Sequence, residues 1–149
     1  MHGLWSNTAI WVPLSAALLA QLLKPFWSWA RSGRFDLRSV INAGGMPSSH
    51  SAMVSSLATV LGFEEGLGSP LFATAVILAM IVMYDARGVR QESGKQARVL
   101  NRILSELFSG QPLSEEQLKE LLGHTASEVF FGAVFGVVYA LGFLVLSTH

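Results

Sequence analysis

The sequence predicts an all-α integral membrane helical bundle, with about four transmembrane helices and one amphipathic helix on the cytoplasmic side. Three observations carry that prediction. Apolar residues make up 51% of the 149 and charged residues only 13%, about half the charged share of a soluble domain. Mean hydropathy is +0.46, and the apolar residues gather into long runs. Every Lys and Arg falls in one of two segments that lie between those runs. Disorder and collagen-like repeats are excluded by the same composition. Cysteine is absent, which excludes a disulfide framework, a thiolate metal site and a thiol nucleophile. Ten Lys+Arg balance ten Asp+Glu, so bulk electrostatic attraction to nucleic acid is not expected. One domain covering 1–149 is the simplest organisation, with no repeat, low-complexity tract or linker.

The first span is read from 5–23, which carries no formal charge and contains the apolar run Ile10 to Ala20. A cleaved secretory signal has its positive region ahead of the apolar one, whereas the first cation here, Lys24, follows it; a retained helix is expected. The second span runs from Pro47 to Phe63, the third from Pro70 to Tyr84 and the fourth from Val129 to Leu146. A crossing takes about 20 residues, so the second and third must extend, tilt or cross incompletely. Between them, Glu64-Glu65-Gly66-Leu67-Gly68-Ser69 reads as an exposed turn. Ser114-Glu115-Glu116-Gln117 reads as an N-cap with glutamine at the third helical position, opening a short surface helix that leads to Gly123.

The cations fix the orientation. Lys24, Arg31, Arg34 and Arg38 form the first group, and Arg87, Arg90, Lys95, Arg98, Arg102 and Lys119 the second. Two crossings separate the groups, so all ten lie on one side, which the positive-inside rule assigns to the cytoplasm. Both termini then face outward. Orientation alone suffices for any one of these cations, but it does not account for the residues beside them.

Three stretches could carry chemistry. In Gly44-Gly45-Met46-Pro47-Ser48-Ser49-His50-Ser51-Ala52, two glycines permit close backbone approach, Pro47 suits a helix start and two serines can cap. A helix N-terminus with free N–H groups, two hydroxyls and His50 favours a bound phosphate; a plain serine-capped helix with a surface histidine is the competing account. In Gly123-His124-Thr125-Ala126-Ser127-Glu128, His124 and Glu128 share a face if the helix includes both. A carboxylate on one ring nitrogen leaves the other nitrogen free to attack. The same residues also read as a capping box, with Thr125 as N-cap and Glu128 reaching back. In Lys24-Pro25-Phe26-Trp27-Ser28-Trp29-Ala30-Arg31, a basic membrane edge with tryptophan anchors explains the aromatics and part of Arg31, while Lys24 directly follows the apolar run and can reach inward.

With these motifs in order, the chain resembles the type 2 phosphatidic acid phosphatase superfamily, which includes vanadium-dependent haloperoxidases. It looks closest to the small divergent bacterial and plastid branch. The superfamily's first motif, lysine, six residues and Arg-Pro, is matched by Lys24 and Arg31, with Ser32 in place of proline. Pro-Ser-Gly-His appears as Pro47-Ser48-Ser49-His50. Of the third motif, Ser-Arg, five residues, His, three residues, Asp, only His124 and the acid Glu128 remain, because Leu118 occupies the arginine position. The divergent branch looks as though it compensates with Tyr84-Asp85-Ala86-Arg87-Gly88-Val89-Arg90 and Gly94-Lys95-Gln96-Ala97.

What the resemblance implies is a phosphoric monoester hydrolase that uses no metal and no cofactor. His124 would be the nucleophile, Glu128 its orienting acid, and His50 the proton donor to the leaving alkoxide. Lys24, Arg31, Ser48, Ser49, Arg87, Arg90 and Lys95 would surround the phosphoryl oxygens. Phosphoryl transfer is mostly positioning and charge stabilisation, which such groups supply. His124 must be neutral to attack, so acid should inactivate the enzyme. A site at the cytoplasmic interface suits a lipid phosphate whose chains stay among the membrane lipids. Phosphatidylglycerophosphate is favoured by its cytoplasmic origin over phosphatidic acid or a polyprenyl diphosphate. A homodimer is compatible with the small surface four short helices bury. The alternatives are a non-catalytic membrane protein or anion transporter that binds phosphate or anionic lipid, a soluble helical protein with an unusually apolar core, and a haloperoxidase.

Overall fold

A computed structural model of the chain describes residues 3, 6–33, 35, 37–40, 44–107 and 124–147, without the side chains of 38, 89–91, 106 and 107. Among the described residues the α-helices are α1 (Thr8–Ser32), α2 (Ser49–Glu64), α3 (Pro70–Arg87), α4 (Val89–Leu107) and α5 (Ala126–Ser147), with a short 3-10 helix at Leu37–Val40. The segment read as a surface helix over 114–123 lies outside the described residues.

Helix α1 runs nine residues beyond the predicted span. It has 25 residues, about 37 Å at 1.5 Å per residue, and carries Lys24 and Arg31 on its last turns. It stops at Gly33, whose φ of 68° places it in the left-handed region and lets its N–H reach the Trp29 carbonyl at 2.8 Å. Glycine adopts that conformation without steric cost. The chain then returns along α1, where the Gln21 side-chain amide donates to the Val40 carbonyl.

Helix α2 opens with Ser48 as its cap. The Ser48 Oγ accepts from the Ser51 N–H at 3.3 Å. Ser69 caps α3 in the same way, accepting from the Phe72 N–H at 3.1 Å ahead of Pro70 at the first helical position. These caps satisfy N–H groups that a helix leaves free.

The four bundle helices alternate in direction. Thr8 at the start of α1 donates its hydroxyl to Glu64 at the end of α2. At the opposite end the His124 N–H, just before α5, donates to the Ala86 carbonyl in the last turn of α3, 2.9 Å away. There too the Ser48 N–H donates to the Glu128 carbonyl at 3.1 Å. So α2 and α5 run parallel, and α1 and α3 run against them. The C-terminal ends of α1 and α3 and the N-terminal starts of α2 and α5 meet at one end of the bundle.

Small residues hold the parallel pair together. A Cβ at Gly132 would lie 2.4 Å from the Ser48 carbonyl oxygen, and one at Gly136 would lie 2.3 Å from that of Ala52 and 2.2 Å from the Ser55 hydroxyl. Only glycine permits this approach, and Gly132-x-x-x-Gly136 followed by Ala140 is the small-residue spacing that packs helices in a bilayer. Ser55 adds an interhelical hydrogen bond to the Ala133 carbonyl at 3.0 Å.

The interior is built largely from small side chains such as Ala16, Ala20, Ala52, Ala75, Ala79 and Ala140, while Leu18, Ile77, Ile81, Phe130, Val138 and many other large apolar residues face outward. A water-soluble domain has the reverse pattern. The fold is an all-α membrane bundle. Among the described residues three helical stretches are long and apolar enough to cross: α1, the run from Pro70 to Ser105 that α3 opens, and α5. At 16 residues, α2 spans about 24 Å, short of the roughly 30 Å hydrocarbon layer. Its place is the middle of the bundle, packed against α1, α3 and α5, where lateral cover from protein compensates for length. The short α2 is the second span read from the sequence, one of the two expected to extend, tilt or cross incompletely.

Helix α4 was not anticipated as a helix, because its charges interrupt the apolar runs. Its apolar positions Ala97, Leu100, Leu104 and Leu107 recur at helical spacing, and Arg98 and Arg102 fall on the other side. Among the described residues it is an amphipathic helix.

Candidate active site

Three helices bring side chains to the end of the bundle where α2 and α5 begin, and α3 ties one of them down through the Ala86 carbonyl. From α1 comes Lys24, only 2% exposed although it carries a long cationic side chain. Gly45, at φ 97°, lies against the Lys24 stem: a Cβ there would be 3.6 Å from Cδ. A positive φ and this close contact both suit glycine. Lys24 is also near enough to Glu128 for the two charges to interact.

From the start of α2 come Ser48, Ser49, His50 and Ser51. Ser48 and Ser51 are fully buried, and their hydroxyls are 3.1 Å apart. Ser48 therefore acts as the cap, while Ser49 is the first helical residue and half-buried.

From the start of α5 come His124 and Glu128. The helix begins at Ala126, so His124 precedes it, and the two do not share a helical face. The chain achieves the contact another way. His124 Nδ1 is 3.2 Å from Glu128 Oε2. The same oxygen accepts from the Thr125 N–H at 2.9 Å, while Thr125 Oγ1 accepts from the Glu128 N–H at 3.3 Å. The capping box and the histidine contact are thus one arrangement, with Glu128 serving both.

His124 is 1% exposed, and its Nε2 is buried without a hydrogen-bond partner in the structure. Buried polar atoms are almost always paired, so an orphan of this kind marks a place where a ligand atom fits. With the Nδ1 proton directed at the carboxylate, Nε2 presents a lone pair. The ring centroids of His50 and His124 are 6.3 Å apart at 62°, close enough for one phosphoryl group to touch both.

The remaining cations are arranged differently. Arg31 and Arg87 sit in the last turns of α1 and α3 and are exposed. Lys95 on α4 is 55% exposed and pairs with Glu92 at 2.6 Å. The Arg90 side chain lies outside the described residues. Among the described residues no three His, Asp or Glu side chains converge as a metal-binding set. Three features of the site were not singled out from the sequence: Ser51 beside Ser48, the Ala86 carbonyl that holds His124, and Gly132 under the Ser48 backbone. The Gly-x-x-x-Gly spacing in an apolar run was a usable signal for the last.

A membrane bundle with two histidines, a carboxylate and a buried lysine at one end defines a class, and comparison places the chain within it. Residues 5–139 match the divergent PAP2 family, and the chain belongs to that family. It is 38% identical over 149 residues to a Bacillus subtilis (strain 168) protein called "Uncharacterized membrane protein YuiD", the match covering 93% of this chain and 94% of that one. No solved structure matches.

Proposed function

We propose that the chain is a membrane lipid phosphatase that hydrolyses a phosphomonoester through a phosphohistidine at the cytoplasmic interface. One observation carries the reading: His124 is buried with Glu128 on one ring nitrogen and an unpartnered nitrogen on the other, beside His50 and the buried Lys24. Family membership supports the phosphatase-related chemistry.

In the first step His124 Nε2 attacks phosphorus, the bond from phosphorus to the lipid alkoxide breaks, and His50 delivers a proton to the departing oxygen. Glu128 holds the His124 ring and stabilises the positive charge it gains. In the second step water attacks the phosphohistidine, gives its proton to His50, and releases inorganic phosphate with His124 restored. Lys24 and the N–H groups at the α2 start, with Ser49, hold the phosphoryl oxygens. Ser48 serves them indirectly by fixing that helix start. Arg31, Arg87, Arg90 and Lys95 raise the anionic lipid's concentration at the entrance and meet its outer oxygens. No step draws on a metal.

The substrate favoured by sidedness is phosphatidylglycerophosphate, with phosphatidic acid and a polyprenyl diphosphate next. The test is phosphate release by the purified protein, in chelator, from a panel of these lipids. Release by the parent, loss in His124→Asn and His50→Asn, and acid-labile phosphate trapped on His124 are expected. Equal release by His124→Asn and the parent overturns the reading.

A further inference from the structure

Beside the histidine site an apolar groove of about 330 Å³ opens between α1 and α5, lined by Leu23, Phe26, Trp27 and Ala30 on one wall and Phe131 and Phe135 on the other, with Met46 and Pro47 at its base. Trp27 and Phe131 approach across it, their ring centroids 6.2 Å apart. Every wall residue is a short step in sequence from the site. Leu23 precedes Lys24, Pro47 precedes Ser48, and Phe131 precedes Gly132, which packs on the Ser48 backbone. Outward apolar side chains of α1 and α5, including Leu22, Phe130 and Val134, adjoin the groove residues in sequence and are exposed.

The geometry points to one occupant: a single hydrocarbon chain of the phosphorylated lipid, lying in this groove while its phosphate reaches Lys24 and His124. This deepens the phosphatase reading and rests on it. Two features favour a chain over other occupants. The groove is tied to the site through the chain, Leu23 leading into Lys24 and Pro47 into Ser48, and its flanks carry outward apolar side chains, so an amphiphile lying here has its phosphate end toward the site. Its walls are the aromatic and aliphatic residues that a hydrocarbon rewards by burial, with no charged side chain among them. The α1–α5 seam also differs from the α2–α5 seam beside it. Glycines close the latter completely, whereas large rings hold α1 and α5 apart and leave a slot. The groove residues thereby determine specificity: they select for the presence and length of a chain, while Lys24 and the histidines read only the phosphate.

The test uses n-alkyl phosphates of increasing length, below micelle formation, with the intact protein and with Ala30→Trp, which fills the slot from the α1 wall. In the parent, kcat/KM rises by roughly fourfold per methylene over the first carbons buried. In Ala30→Trp the KM for the longest ester rises at least about tenfold more than that for the shortest, a split that general unfolding does not produce. The second measurement does not need turnover. A long-chain alkyl phosphate with a terminal diazirine is photolysed on the His124→Asn protein. Label is expected in the segments 23–30 and 131–135, competed by the unlabelled ester and reduced by Ala30→Trp. Turnover without chain-length dependence, or label spread equally over the outward face of α3 at Ile77 and Ile81, overturns the groove and leaves the phosphatase standing. Competed label at the groove with no phosphate release from any ester overturns the phosphatase and leaves a lipid-phosphate binding site.

Discussion

Lys24 and Lys95 are both lysines at the same end of the bundle, yet one is 2% exposed and the other 55%. Lys24 interacts with the Glu128 carboxylate at the end of the bundle that also holds the buried serines and the two imidazoles, and Gly45, at positive φ, lies against its stem. Around Lys95 there is a helix surface and a Glu92 partner three residues away. The contrast separates two uses of charge that look alike in the sequence. On the proposed reading the outer cations orient the protein and shape its field, effects that ionic strength screens. The inner cation has been taken out of water, which is costly unless the site returns something for it, and a phosphate dianion is a fitting return.

Four substitutions and one control sharpen the division, beginning with the largest effect. His124→Asn removes the proposed nucleophile, and kcat should fall by about four orders of magnitude or more, as loss of a covalent nucleophile does elsewhere, with the helical circular dichroism retained. A drop smaller than tenfold would move the nucleophile to another residue. Gly132→Ala comes next. It touches no substrate, but its Cβ would meet the Ser48 carbonyl at 2.4 Å, and the start of α2 must move away from α5. A misplacement of about 1 Å costs roughly a hundredfold in rate, so kcat should fall by that order in protein that still purifies as a bundle. Gly142→Ala is the control, since a Cβ there meets nothing within 4 Å.

Lys24→Met discriminates between structure and function. If Lys24 serves packing or a structural ion pair, removing its charge leaves Glu128 without a nearby cation and lowers thermal stability. If it is held for the substrate, an apolar side chain of similar length is tolerated in the fold, because replacing a buried charge with a well-packed apolar group is often neutral or stabilising. The expected result is an unchanged or higher Tm, with KM raised at least about tenfold by loss of one charge-assisted contact. A lower Tm with unaltered KM would return Lys24 to the structural class.

Much of the inner cluster was legible because motifs are local. Pro47-Ser48-Ser49-His50 and His124 with Glu128 can be picked out by residue type and spacing, and Lys24 by its place at the end of an apolar run. What brings them together was not legible. Nothing in the sequence states that His124 is tied to Ala86, and the sequence left open whether Glu128 meets His124 along a shared face or reaches back in a capping box, which the structure combines with the histidine contact. These depend on chain direction and on the α2–α5 approach. The spans followed from hydropathy, but their ends did not. Helix α1 continues through Lys24 and Arg31 because helix propensity does not stop where hydropathy does. Helix α4 was hidden for the converse reason: a surface helix keeps its period but not its mean hydropathy. Burial, which divides Lys24 from Lys95, is a property of packing that composition does not record.

The smallest effect tests the outer class directly. Lys95→Ala removes an exposed cation whose pair with Glu92 is worth little, because exposed pairs three residues apart contribute well under about 1 kcal/mol. Its contribution to substrate capture acts through the field at the entrance, so the loss should appear in kcat/KM and not in kcat. It should amount to about threefold or less at low salt, and it should vanish as the Debye length shortens toward about 3 Å at 1 M salt. Measuring kcat/KM for Lys95→Ala and Lys24→Met across the same salt series places the two lysines on one axis. A buried contact resists screening and a surface field does not. A salt-independent defect of tenfold or more in Lys95→Ala would bring α4 into the pocket and erase the boundary between the two groups of cations.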